Sequence, residues 1–365
     1  MNATAKADTL LAALTQEPVD AEAQRIAATL DTFYTRPGYM IRRAHQISNA
    51  SFVEDLGSLG ITPTQMSSLV VVCDCPGIDQ ITLARRIGVD RTTASMVVNG
   101  LAQHGFLRCE RSARDARRNE VTATRAGMAC TQLARDFAMT NKGKLLHAFT
   151  PQDEATLQSL LKRLIDTVPA SPPEWIRPDG TVQFGTEDAF AEDFPGHFGL
   201  YTAFGFLLRR AHQTLEAAFI DCCQPVNLTP RRYGVLRVVE VAEPLEQIAL
   251  ARWLALDGST AASVVTELVR RGHLDRTPHP SDRRRRLLQL TDEGRTLVET
   301  ALPLAREASL RALAVLGDDA AEFGRLMQLF LVSNDSLSRV ASERAVTQRA
   351  AQFLQDGLAP SADPR

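Results

Sequence analysis

Apolar residues recur at helical spacing along most of the chain, and the breaks between helical stretches come in the same order twice. From Gly38 to about Leu59 the apolar positions Ile41, Ala44, Ile47, Phe52 and Leu56 return at three-to-five-residue steps, the stripe of an amphipathic helix. Thr62 predicts an N-cap, with Pro63 at the first helical position and Gln65 placed to close a capping box. That helix runs through Leu69 to about Cys73 and stops at Pro76-Gly77. A short helix Gln80 to Ile87, a turn at Gly88-Val89 and a helix from about Arg91 to His104, capped by Asp90 and closed by Gly105, make a helix-turn-helix. Phe106 to Glu110 and Glu120 to Ala123 are predicted as strands flanking a basic tip, a β-hairpin wing. Thr124 and Gly127 open a long helix through Met139, and Leu157, Leu160, Leu161, Leu164 and Ile165 form a further stripe ending before Pro169. Two helical segments, Thr9 to Leu14 and Ala21 to Phe33, precede all of this.

The same series returns 167 residues later. Arg42-Arg43-Ala44-His45-Gln46 recurs as Arg209-Arg210-Ala211-His212-Gln213, Thr62-Pro63 as Thr229-Pro230, and Leu83-Ala84-Arg85 as Leu250-Ala251-Arg252. No gap is needed from residue 42 to 127, and roughly a third of the paired positions are identical, which composition alone does not produce. The second copy therefore predicts a helix Leu200 to Cys222, a Thr229-Pro230 cap, and a helix-turn-helix of Gln247 to Leu254 and Ser259 to Arg271 closed by Gly272. A wing Pro278 to Arg286 between strands follows, then Thr291 with Gly294 and further long helices. The domain expectation is a first module at 1–168 and a Pro/Gly-rich linker at 169–197 with a short hairpin at Pro178-Asp179-Gly180. A second module at 198–356 and a frayed tail at 357–365 complete it.

Composition adds limits rather than a function. A chain of 365 residues with 44% hydrophobic and 23% charged residues is long enough for two separate cores. No apolar run is long enough to span a membrane and the N-terminus carries no leader pattern, so a cytoplasmic location without membrane contact is expected. The six cysteines occupy no equivalent positions in the two copies, which predicts reduced thiols and neither a shared metal site nor a disulfide framework. No cofactor is expected. The net charge of −2 hides local clusters: Arg108 to Arg118 and Asp275 to Arg286 each hold five arginines against two acids, and nucleic-acid binding depends on where charge sits. No phosphate-cradling glycine loop or nucleophile motif appears and the seven histidines are scattered, which argues against an enzyme.

A helix-turn-helix followed by an Asp-x-Arg wing and a Thr-x-x-Gly helix entry resembles the MarR family of winged-helix transcription regulators. The residues that carry the resemblance are Asp115-Ala116-Arg117 with Thr124 to Gly127, and Asp282-Arg283-Arg284 with Leu290-Thr291-Asp292-Glu293-Gly294; it covers some 300 residues. Most members of that family are single modules that dimerise through their terminal helices, whereas this chain resembles a fused pair. The fold class implied is mainly α with small β wings (α+β): two winged helix-turn-helix domains whose helical arms form an intrachain pseudo-dimer. A flexible linker of about 28 residues reaches roughly 30 Å and holds its modules at about millimolar effective concentration. Association of two such tandem chains into a homodimer stays open.

Double-stranded DNA is the partner so implied, and a helix fits its major groove. On the second helix of the first pair the outward positions are Arg91, Thr92, Thr93, Ser95, Met96 and Asn99; Arg91 suits guanine and Met96 a thymine methyl. The second copy presents Gly258, Ser259, Thr260, Ala262, Ser263 and Thr266, which include no long donor, so the two heads are expected to read different half-sites. Wing residues Arg114, Arg117 and Arg118, with Arg283, Arg284, Arg285 and Arg286, are expected at phosphates or in the minor groove. By resemblance Asp115 and Asp282 pair with a neighbouring arginine and hold the wing's shape, an exposed ion pair worth at most about 1 kcal/mol.

The family implies one further partner, a small aromatic carboxylate or phenol between arms and DNA-binding lobe that releases a repressor from its operator. A first-helix arginine can clamp a carboxylate and a histidine can accept from a phenol. Tyr39, Arg43, His45 and Phe52, with Tyr201, Arg210, His212 and Phe219, are the candidates. The alternative for these residues is that they join the arms to each other. Two other functions stand beside this one. Cys73-x-Cys75 and Cys222-Cys223 suggest a thiol redox sensor, which requires an accessible thiol of lowered pKa. The donor-poor second recognition helix suggests an interaction scaffold that has lost DNA.

Overall fold

A computed structural model describes residues 34–111, 119–166, 200, 203–280 and 285–334. The predicted N-terminal helices, the linker hairpin, the tail, Tyr201 and the wing-tip residues Arg114, Asp115, Arg117, Arg118, Asp282, Arg283 and Arg284 lie outside them.

The described elements run in the predicted order. They are α1 (Pro37–Leu56), α2 (Pro63–Asp74), β1 (Ile78–Asp79), α3 (Gln80–Ile87), α4 (Arg91–Gln103), β2 (Leu107–Arg111), β3 (Asn119–Ala123), α5 (Arg125–Leu145) and α6 (Pro151–Asp166) in the first copy. The second copy has α7 (Phe204–Cys222), α8 (Pro230–Ala242), β4 (Leu245–Glu246), α9 (Gln247–Trp253), α10 (Gly258–Arg270), β5 (Leu274–Pro278), β6 (Arg286–Leu290), α11 (Asp292–Leu313) and α12 (Ala320–Ser333). Each copy carries one three-stranded antiparallel sheet, in orders β1-β3-β2 and β4-β6-β5. The two-residue strands β1 and β4 add to the hairpins read from the sequence.

Chain contacts divide the molecule into two compact units, and the division cuts across the repeat. The larger comprises Arg36–Tyr233 and Thr296–Arg339, that is, the first winged helix together with arm helices of both copies. The physical reason is a shared core. Ile41, Ala44 and Ile47 of α1 and Leu157, Leu161 and Leu164 of α6 are buried in one cluster with Leu207, Leu208 and Ala211 of α7 and Phe323, Met327 and Phe330 of α12. Burying a side chain of this size contributes about 1.5–3 kcal/mol, so neither set of arms has a reason to stay exposed. A second cluster, around Leu69, Val72, Leu83, Ile87, Val98, Leu101 and Val121, is the core of the first winged helix. It includes Leu200 and Phe206 from the second copy.

The smaller unit contains Gly234–Arg295, the second winged helix. Val235, Leu236 and Val239 of α8, Leu250 of α9, Val265 and Leu268 of α10, Leu274 of β5 and Leu288 of β6 are buried.

Local chemistry explains where the elements begin. Thr62 accepts from Gln65 N while the Gln65 side chain accepts from Thr62 N at 2.8 Å, the reciprocal cap predicted for α2. Thr124 Oγ1 accepts from Gly127 N at 3.1 Å and donates to Gly105 O at 2.7 Å, which ties the start of α5 to the end of α4. Thr291 makes the same pair of bonds, to Gly294 N and Gly272 O. Glycine stands at 127 and 294 because a Cβ there would come within 2.1 Å of the carbonyl oxygens of Phe106 and His273. The Thr-x-x-Gly pattern is thus a packing requirement.

Candidate DNA-binding helices and ligand cavity

α4 is the second helix of a helix-turn-helix. Its N-cap Asp90 accepts from Thr93 N at 2.8 Å and from Thr93 Oγ1 at 2.7 Å. Ala94, Val98 and Leu101 face the core, leaving Arg91, Thr92, Met96 and Asn99 exposed and Ser95 half-buried on the other side. Met96 is 63% exposed, a large apolar side chain held in water. Thr93 is different: its hydroxyl is spent on the cap. Although partial burial works against the Asp90 carboxylate, the Thr93 hydrogen bonds hold its pKa below the usual value.

In the second copy α10 is capped by Asp257, which accepts from Thr260 N, Thr260 Oγ1 and Ser259 Oγ. The hydroxyl hydrogen bonds from Ser259 and Thr260 push its pKa well down. Ser259 and Thr260 thus turn their hydroxyls inward to the cap, and Ser263 and Thr266 remain as exposed polar groups with Gly258 beside them. Of the wing arginines that are described, Arg285 forms a two-point pair with the buried carboxylate of Glu246, Nε to Oε2 at 3.1 Å. Arg286 is exposed at the start of β6.

The shared Arg-Arg-Ala-His-Gln motif lies on the seam of the larger unit. Arg209 Nη2 donates to Ile87 O at 2.7 Å and Gln213 Nε2 to Gly88 O at 3.1 Å, so α7 of the second copy grips the helix-turn-helix turn of the first. Arg210, almost fully buried, packs on Gly88, where a Cβ would lie 2.0 Å from its Nη1. Gly88 has φ +69°, which only glycine adopts without strain. Arg43 pairs with Gln46 at 3.0 Å as Arg210 does with Gln213 at 3.2 Å. His45 and His212 stack on each other, centroids 5.4 Å apart. Burial, then the positive neighbourhood of His212 and Arg209, lowers His45 to about 3. Burial also lowers His212, against the pull of Glu216.

Beside this seam is a cavity of about 100 Å³, walled by α1, α2, α5, Leu200 and residues from Ala203 to Arg209. Phe52 lines it, with Met66, Phe137 and Phe206 supplying apolar walls and Ser48, Asn141, Arg135 and Arg209 polar ones. Phe52 and Phe137 meet edge to face and the Arg209 guanidinium lies over the Phe206 ring at 5.0 Å. Arg135 pairs with Asp74 at 2.5 Å, while its Nε is buried without a hydrogen-bond partner. Of the described residues expected at a ligand, Phe52 is the one on the cavity wall. Tyr39 stacks under Arg42 at 5.1 Å, Phe219 tilts onto Tyr233, and Arg43, Arg210, His45 and His212 belong to the seam. Arg209, Asn141 and Ser48 were not anticipated; the first sits in the repeated arginine doublet, and the other two carried no sequence signal.

The six cysteines form no disulfide. Burial, with Cys222 beside it, pushes the Cys223 thiol up to about 11, and burial raises Cys130 as well, the reverse of what a sensing thiol requires. Cys75 lies 2.8 Å from Arg86 Nη1. No single helix among the described residues is long and apolar enough to cross a membrane.

Two sheets of three strands, each behind a capped recognition helix, define the winged helix-turn-helix class. Within it, the MarR family model matches residues 59–118 and again 226–285. The transcriptional regulator HosA of Escherichia coli is 30% identical over 103 residues, covering 28% of this chain and 75% of HosA. The HTH-type transcriptional repressor NicR of Pseudomonas putida is 33% identical over 106 residues, covering 29% of this chain and 66% of NicR. The chain belongs to the MarR family, in tandem form. Among solved structures, the transcriptional repressor CouR bound to a 23-mer DNA duplex is 31% identical with TM-score 0.34, covering 37% of this chain and 94% of CouR. BpsR of Bordetella bronchiseptica, whose DNA binding is regulated by 6-hydroxynicotinic acid, is 29% identical with TM-score 0.34, covering 39% of this chain and 97% of BpsR.

Proposed function

We propose that this chain is a sequence-specific double-stranded DNA-binding repressor, released from its operator by a small aromatic carboxylate or phenol held in the cavity between α1, α2, α5 and the start of α7. DNA binding is supported by the two capped recognition helices, with Arg91, Thr92, Ser95, Met96 and Asn99 in the first and Ser263 and Thr266 in the second turned away from their cores. The first reads bases with a long donor and the second without one, so the preferred operator is not a perfect palindrome. Arg286 and the wing-tip arginines supply phosphate contacts and a steep salt dependence.

The observation that carries the ligand reading is Arg209, a cavity wall whose guanidinium holds the carbonyl of Ile87, the last residue before the helix-turn-helix turn. A carboxylate in the cavity competes with that neutral carbonyl for the same guanidinium, and a charge-assisted bond is roughly twice as strong as a neutral one. Loosening the grip on Ile87 changes how α4 is presented. Phe52, Phe137 and Phe206 suit the flat face of an aromatic ring.

The test is a gel shift on the duplex upstream of the gene, repeated with benzoate, 4-hydroxybenzoate and 6-hydroxynicotinate. At least one acid should release the DNA from the native chain and fail to release it from an Arg209→Met variant that still binds. Release of both proteins at equal concentrations would refute the role of Arg209, and release of neither would refute this class of ligand.

A further inference from the structure

The 167-residue offset assigns every wall of the cavity a counterpart in the second copy. From Thr124 and Thr291 onward α5 and α11 both run as unbroken helices, so the offset carries through them as well. Met66 and Ala203 both line the cavity. Their counterparts are Tyr233 and Arg36, both far larger, and these are joined: Arg36 Nη1 donates to the Tyr233 hydroxyl at 2.9 Å. Tyr233 is 4% exposed and its ring lies against Phe219, the counterpart of Phe52, with centroids 5.4 Å apart. All of these residues belong to the larger unit.

The polar walls diverge in the same sense. Ser48, Arg135 and Asn141 correspond to Leu215, Leu302 and Ala308, so the second copy lacks these three polar groups, while Arg42 stands at the place of Arg209. A buried carboxylate with fewer hydrogen-bond partners is disfavoured.

We infer that the chain takes one aromatic acid, in the first-copy cavity alone, because Tyr233 and Arg36 plug the equivalent place in the second copy. This rests on the ligand reading proposed above and adds its stoichiometry. Duplication has left one of two ancestral pockets as a sensor and turned the other into permanent packing, so occupancy follows a simple one-site curve.

Isothermal titration of the full chain with the same three acids tests it. One equivalent per chain is expected for any acid that binds, lost when the plug is copied into the first cavity as Met66→Tyr with Ala203→Arg. Two equivalents in the native chain, or one still bound after the transplant, would overturn the inference. A second arm needs no acid. Arg36→Ala with Tyr233→Met restores the first-copy residues at the plug, and phenol should then raise the Tm of this variant, dose by dose, beyond its effect on the native chain. If no acid binds the native chain, the ligand reading falls and the phenol arm still decides the plug. Should phenol leave the folded variant unmoved, the plug is refuted.

Discussion

Protonating the stacked histidines should loosen the arms, and the sign and size follow from their surroundings. His45 is held neutral, lowered from 6.5 to about 3, chiefly by burial and then by His212 and Arg209. The Asn49 amide nitrogen lies 3.2 Å from His45 Nε2, a contact that the neutral ring accepts and a protonated one does not. Since the folded pKa lies below the unfolded one, unfolded chains bind the extra proton between these values, and stability contributed by the neutral ring is lost as pH falls below 6.5. At pH 5 the unfolded state gains about 1.5 pH units of proton binding at this site, worth about 2 kcal/mol; at pH 8 it gains almost nothing. His212 is lowered as well and adds in the same direction, with Glu216 opposing and Arg42 and Arg231 reinforcing. Urea unfolding followed by helical circular dichroism at pH 8, 6.5 and 5 measures this. The native chain should lose about 2 kcal/mol more over that range than His45→Gln, whose amide does not titrate. Parallel pH dependences in the two proteins would refute the reasoning.

The remaining expectations concern single positions. Gly88→Ala puts a Cβ 2.0 Å from Arg210 Nη1 at a residue with φ +69°, and should cost about 2 kcal/mol or more in chemical unfolding, recovered in part when Arg210→Ala is added. Asp90→Ala removes the cap of α4, costs about 1 kcal/mol, and should weaken DNA binding more than the stability loss explains, read as a Kd at a temperature where the variant is fully folded. Glu246→Gln weakens the two-point hold on Arg285, which should lower the Tm without abolishing DNA binding in a gel shift.

What could be read from the sequence was what is written locally. The Thr62, Pro63 and Gln65 box, the Asp90 cap and the Thr124–Gly127 cap bond involve atoms within four residues, and α2, α4 and α5 begin where those residues place them. The two-residue strands β1 and β4 leave no periodicity to detect, because their partners lie some forty residues away. The repeated arginine doublet could be seen, but which arginine faces the cavity depends on a rotation of one helical residue, about 100°, that only the packing of α7 fixes. Hydroxyls at Thr93, Ser259 and Thr260 faced outward on a helical wheel, yet each sits within three residues of a capping aspartate that claims it. The shared core of the two sets of arms was expected from the family; Ile41, Ala44, Ile47 and the Leu157–Ile165 stripe were read from periodicity, whereas its residues on α7 and α12 were not.

The most direct test of the account is an anisotropy titration of the full chain on the duplex upstream of its gene, against a random-sequence duplex of equal length, over a series of salt concentrations. A saturable preference for the upstream duplex is expected, falling steeply as salt rises and weakened by Arg91→Ala. Equal affinity for both duplexes, or binding indifferent to salt, would contradict it.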